Sequence, residues 1–335
     1  MSTCQVPQAN QSRVAPILAG VLGMLVLIMV SLRLIQRAGF NKLVGVDDGL
    51  IVMAFICAAP LNCLMFPMQK LGLGTNIWTI PFGHITKQLE LLYVAEIFYM
   101  PAEALTQMSF LAFYLRIFPS KTFHRIAYVL MGLSACFGIS NALVMIFQCT
   151  PVSFFWTGWT GETKGACIDI NAYSWYKAAM QIAMDLSILS LPIWPLLQLS
   201  LNIKKKIQIV LMFGTGFLIT VVSCLRLQSL VKFSKSTNVT YDNTPAIYWS
   251  VVECDVAIIC ACMPCLPSLL RNLFPSVFGP PSDKYYNNIT PPQHGESSRF
   301  SVPLDRIKKD TTWQVTSSET NLVHGPGSRK PPQSA

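Results

Sequence analysis

Charge is scarce in this sequence: Asp, Glu, Lys and Arg together supply 12% of its 335 residues, where soluble domains carry about a quarter. So little charge excludes an ordinary water-facing surface. Histidine is rarer still, with four copies at positions 84, 124, 294 and 324, and no cluster of them can hold a catalytic zinc. HExxH and GxSxG are both missing, which removes two familiar hydrolase signatures. The chain is therefore expected not to be an enzyme, and to need no metal and no cofactor. Residues 249–270, the last apolar run, contain no lysine, so a retinal Schiff base has nowhere to attach. Interrupted apolar segments do not recur in matching positions of two halves, the pattern of a transporter built from repeats.

What is present is apolar: 52% of residues, with a mean hydropathy of +0.45. A hydrocarbon core roughly 30 Å thick needs about 20 such residues per helix, and seven runs approach that length: 14–32, 50–68, 89–115, 126–147, 178–199, 207–227 and 249–270. The expected fold is all-α, a seven-transmembrane helix bundle. The net charge of +9 invites a nucleic-acid partner, but the basic residues flank the apolar runs and form no stripe of their own, so membrane lipid is the expected partner and nucleic acid is not. With the amino terminus outside, the short inner loops hold nine basic residues in 34 positions and the outer loops six in 71, as the positive-inside bias requires. The sequons at Asn10 and Asn238 then face outside and Asn288 inside. Residues 1–13 read as a short extracellular segment, 14–275 as the membrane domain and 276–335 as a disordered cytoplasmic tail, because its Pro, Ser, Thr and Gly bury too little apolar surface to order it.

Prolines 60, 67, 101, 192, 195, 264 and 267 read as kinks within helices. Among eleven cysteines, Cys149 and Cys167 share the longest outer loop, and a disulfide between them would close about 18 residues and add around 3 kcal/mol of order; Cys4 is the competing partner. Cys260, Cys262 and Cys265 resemble a metal motif but lack further ligands, leaving packing or palmitoylation of Cys265. Charged groups inside apolar runs are costly and usually functional. Glu96, Tyr99 and Glu103 are spaced i, i+3, i+7 on one helical face, and Asp185, Arg226, Glu253 and Asp255 fall at comparable depth. Either they stitch helices together or they line a polar ligand pocket, with Arg226 and Glu253 as an ion pair. At the inner side, Arg116 faces Asp47 and Asp48, either as a two-state latch or as a topology signal beside a helix cap.

The stretches "VDDGLIVMA", "LGLGTNIWTI", "SFLAFYLRIF", "FQCTPVSFFW...GACID", "MDLSILSLPIWPLLQLSLNIKKKIQIVLMFGTG" and "WSVVECDVAIICACMPCLPSLL" occur in this order. On them the chain resembles the fungal rhodopsin-domain integral membrane proteins, over residues 14 to about 275. Gln107 stands where members usually carry lysine, and Asp255 where asparagine is common. The resemblance implies a seven-span bundle; the family includes receptor-like proteins of surface sensing and pathogenicity and members encoded in secondary-metabolite gene clusters. The leading expectation is a receptor-like multi-pass protein of the plasma membrane that senses a small extracellular ligand or surface cue, with a heterotrimeric G protein as candidate inner partner. The alternatives are a membrane accessory protein of a secondary-metabolite cluster, or a transporter.

Overall fold

The computed structural model describes residues 13–40, 44–76, 79–193, 214, 216–229, 241 and 243–266. Asn10, Asn238, the segment 276–335 and parts of the fifth to seventh runs lie outside the described residues.

Helix α1 spans Val14–Leu34 and continues as a π-helical turn, Ile35–Phe40. Helix α2 spans Val46–Lys70, so the inner loop expected over 33–49 is mostly helix. The reason lies in its charges: Arg33 and Arg37 end in ion pairs with Asp47 and Asp48, and paired charges stay within helical turns. Gly45 starts α2 in an extended conformation, and its N–H donates to Asp48 Oδ2 at 3.0 Å. That carboxylate also sits at the positive end of the helix dipole. The other end of α2 closes on "LGLG". Leu73 N–H bonds to Met68 O at 3.0 Å and Gly72 N–H to Gln69 O at 3.1 Å, a Schellman stop that requires Gly72 at φ +105°.

Helix α3, Phe82–Ile117, has 36 residues, about 54 Å at 1.5 Å per residue. It outruns a 30 Å hydrocarbon core and starts seven residues earlier than its apolar run. The extra amino-terminal turns have a partner. After α4 (Lys121–Ile146), strands β1 (Cys149–Thr150) and β2 (Ala166–Cys167) pair antiparallel with Cys149 opposite Cys167, and those two cysteines form a disulfide. Between the strands, the short helix α5 (Phe154–Thr157) and a following turn lay their aromatic side chains on α3. Phe155 and Trp156 pack on Tyr93 at 5.6 and 5.5 Å, and Trp159 stacks on Phe82 at 5.8 Å.

Helix α6 covers Ile170–Ser190, eight residues ahead of the expected start. It stops just before Leu191 and Pro192, where the clash between proline and the preceding residue disfavours helix. Pro60, Pro67 and Pro101 do lie inside helices. Helix α7 covers Gly216–Ser229, and α8, Thr244–Cys262, runs into a 3₁₀ turn at Met263–Cys265 that absorbs Pro264. Pro195 and Pro267 lie outside the described residues.

The packing is inverted relative to a water-soluble bundle. Ile17, Val21 and Met24 on α1 and Val129, Leu133 and Ile139 on α4 face outward, while Arg33, Asp47, Glu103, Arg226 and Glu253 are buried. Apolar faces of that extent suit lipid tails. Four helical stretches among the described residues are long and apolar enough to cross a membrane: Val14–Gly39, Val46–Lys70, Lys121–Ile146 and Thr244–Cys265. Where apolar side chains gain little by leaving lipid, small residues hold helices together. Gly138 of α4 illustrates this: a Cβ added there would lie 2.4 Å from Ala104 Cβ on α3.

Candidate functional site

Two buried polar clusters lie along the helices, named inner and outer by the expected orientation, and α3 and α8 contribute to both. The inner cluster centres on Arg33, 2% exposed. Its Nη2 donates to Asp47 Oδ2 at 2.6 Å, its Nε to Asp48 Oδ1 at 2.8 Å and its Nη1 to the Ala261 carbonyl at 2.6 Å. Arg33 thereby ties α1, α2 and α8 at one point. Arg37 Nη2 reaches Asp47 at 3.5 Å, Arg116 Nη1 lies 3.7 Å from Asp47 Oδ1, and Ser109 of α3 donates to the Asp47 carbonyl at 2.9 Å.

The outer cluster is built on Tyr99. Its hydroxyl donates to Glu253 Oε2 at 2.6 Å and accepts from Arg226 Nη1 at 2.6 Å. Arg226 Nε lies 2.9 Å from the same carboxylate oxygen, and Ser223 Oγ donates to Glu253 Oε1 at 2.5 Å. Lys177 of α6 places its Nζ 4.1 Å from the centroid of the Tyr99 ring, a cation–π contact strengthened by burial. Helices α3, α6, α7 and α8 therefore meet around one tyrosine. A second chain of bonds runs deeper: Ser134 Oγ donates to Gln107 Oε1 at 2.7 Å, and Gln107 Nε2 to Asp185 Oδ1 at 2.8 Å, linking α4, α3 and α6.

Two cavities flank the Tyr99 cluster. The outer one, about 110 Å³, is lined by Glu96, Tyr99, Lys177 and Arg226 together with Met65, Met100 and Met145. The other, about 40 Å³, is lined by Glu103, Gln107, Asp185 and Glu253 with Phe110 and Ile188. Glu96 Oε2 and Glu103 Oε2 are buried without a hydrogen-bond partner among the described residues. What the i, i+3, i+7 spacing presents as one wall is thus divided: Glu96 and Tyr99 face the outer space, Glu103 and Asp185 the deeper one, and the Arg226–Glu253 pair lies between. Asp255 joins neither. Two residues beyond Glu253, it turns toward α2 and accepts from Asn62 Nδ2 at 2.9 Å, and it lines neither of the two cavities.

Sequence reasoning missed Lys177 and Arg33 because both were counted as topology signals at the ends of apolar runs. For Lys177 the visible clue was "YSWYKAAMQ", a helix-compatible stretch extending the fifth run outward. For Arg33 it was the four-residue spacing to Arg37, which sets both on one face opposite the Asp47–Asp48 doublet. Ser223, Ser134 and Asn62 carried no signal, since a small polar residue in an apolar run is common. Asn141 accepts a hydrogen bond from Tyr173 and was equally silent.

A family model described as the fungal rhodopsin domain matches residues 32–272, which takes in both clusters. A SAT4 family membrane protein of Emericella nidulans is 29% identical over 62% of this chain and 52% of its own length. Satratoxin biosynthesis SC1 cluster protein 4 of Stachybotrys chartarum is 28% identical over 52% of this chain and 63% of its own. Fugralins biosynthesis cluster protein 2 of Gibberella zeae is 27% identical over 39% and 33%. The chain thus spans between a third and two thirds of these relatives' lengths. No solved structure matches it. Because the matched region covers well over half of the sequence, the chain belongs to the fungal rhodopsin domain family of membrane proteins.

Proposed function

We propose that this chain is a seven-span protein of the plasma membrane, amino terminus outside, that binds a small molecule in the outer cavity and passes its occupancy to the cytoplasmic side. The observation that carries the reading is the sharing of α3 and α8 between the clusters. Tyr99 and Glu253 bond at the outer site, while Ser109 and the Ala261 carbonyl on the same helices bond into the inner one. Along α8 the two points are eight residues apart, about 12 Å at 1.5 Å per residue. A ligand that competes for Tyr99, Glu253 or Arg226 displaces the outer anchor of both helices, and the inner ion network supplies the discrete contacts a two-state element needs. Arg116, a third exposed, is the member of that network within reach of an inner partner such as a heterotrimeric G protein. The disulfide-closed loop lies over the outer turns of α3 and serves as the lid.

A second reading draws on the relatives, two of which carry the names of biosynthesis cluster proteins. Here the chain is a membrane accessory protein of a secondary-metabolite pathway, and the molecule in the cavity is the product or a precursor. Both readings are non-enzymatic; transport is the remaining alternative. Expression in a yeast strain with a signalling reporter, challenged with candidate metabolites while uptake is measured in parallel, separates them. Reporter output lost on Tyr99→Phe supports sensing. Saturable uptake without any reporter output, abolished by Glu103→Gln, refutes it in favour of transport.

A further inference from the structure

The outer cavity contains two cationic side chains whose hydrogen-bonding capacity is not used up. Arg226, 3% exposed, ion-pairs with Glu253 on its Nε side and donates from Nη1 to Tyr99, but neither Nε nor Nη2 makes a hydrogen bond among the described residues. Lys177, 8% exposed, rests its ammonium on the Tyr99 ring face, and no carboxylate among the described residues lies within ion-pair distance of it. Both line the same cavity. A buried guanidinium N–H left unpaired is costly, and an ammonium on an aromatic face keeps N–H donors directed away from the ring. Both donors line one cavity, where a pair of acceptor oxygens gains charge-assisted hydrogen bonds.

We infer that the outer cavity takes the carboxylate of a small, largely apolar acid, seated between Lys177 Nζ and Arg226 Nη2. The inference deepens the ligand-site reading above and rests on it. Met65, Leu92, Met100 and Met145 form the apolar part of the lining, adaptable side chains that accommodate an alkyl or aromatic body. Glu96 is the single carboxylate on this lining among the described residues, beside Lys177 and Arg226. The unpartnered Oε2 of Glu96 favours acids that also carry a hydroxyl within reach. An amine in the same place meets two like charges, and a neutral amide presents one acceptor oxygen where a carboxylate presents two.

The test uses the full chain in lipid nanodiscs, with phenylacetate, phenylacetamide and phenethylamine as size-matched probes read by ligand-detected NMR. Phenylacetate is expected to bind at least about tenfold more tightly than the amide, with no binding of the amine. Lys177→Gln should abolish the preference for acid over amide, and Lys177→Arg should restore it. Because Arg226 also holds Glu253, its variants are not used; an unchanged thermal midpoint of Lys177→Gln shows that the fold is intact. Equal binding of acid and amide, blocked when the cavity is filled by Ala95→Leu, overturns the charge requirement while leaving the cavity as the ligand site. Binding that Ala95→Leu leaves untouched, or binding of none of the three probes, overturns both readings.

Discussion

Replacing Arg33 by methionine is the sharpest perturbation available in this molecule. The arginine makes three hydrogen bonds of 2.6–2.8 Å to Asp47, Asp48 and the Ala261 carbonyl, and its side chain is 1% exposed. Methionine keeps the apolar stem but takes the closest cation from two buried carboxylates. Arg37 and Arg116 stand 3.5 and 3.7 Å from Asp47, at or beyond the limit of a useful hydrogen bond, and cannot replace what is lost. Breaking a buried pair on one side costs about 3–5 kcal/mol, because the partner's desolvation is left uncompensated. Arg116→Met removes a side chain that is 33% exposed, and exposed pairs contribute about 0–1 kcal/mol. Denaturant-induced unfolding in mixed micelles should therefore rank the two variants several kcal/mol apart. Adding Asp47→Asn and Asp48→Asn to Arg33→Met should recover much of the loss, since neutral amides cost less to bury than charges. An Arg116→Met loss equal to that of Arg33→Met refutes the assignment of Arg33 as the organising residue. So does an Arg33/Asp48 double-mutant cycle that is additive within about 0.5 kcal/mol.

Three further outcomes are expected. Gly138→Val places a Cβ 2.4 Å from Ala104 Cβ; parting α3 from α4 should cost about 1–3 kcal/mol of overpacking, relieved by Ala104→Gly in the same thermal-melt assay. Cys149→Ser opens a loop of 18 residues and should lower stability by about 3 kcal/mol, with a thiol-reactive mass tag adding to Cys167 only in the variant. For orientation, an endoglycosidase mobility shift should disappear when Asn10→Gln and Asn238→Gln are combined; a shift that survives this pair and vanishes with Asn288→Gln inverts the topology.

How much of the molecule is legible in the sequence depends on the length scale of the signal. Apolar runs of about 20 residues mark helices that lipid demands, so each of the seven runs coincides, where described, with a helix. Two ends shifted where the added turns had a tertiary partner: α3 gained turns where the disulfide loop packs on Phe82, and α6 began early with Lys177 lying over Tyr99. The pairing of Cys149 with Cys167 was readable because they share one loop between two apolar runs. The partner of the Asp47–Asp48 doublet was not readable: Arg116 is the basic residue at the end of α3, but the nearer cation comes from α1.

By itself the sequence determined that this chain is a helical membrane protein of the fungal rhodopsin domain family and that it buries charge within its apolar segments. Both follow from composition and order along the chain, because a bilayer imposes a length and a polarity on each segment separately. Only the tertiary structure decided which buried charge meets which. Glu253 and Asp255 lie two residues apart on α8 and project at different angles, one to Arg226 and Tyr99 on α7 and α3, the other to Asn62 on α2. Spacing assigns residues to a face of one helix, but the partner of each face depends on helix rotation and neighbour, and small contacts such as Gly138 against Ala104 decide those.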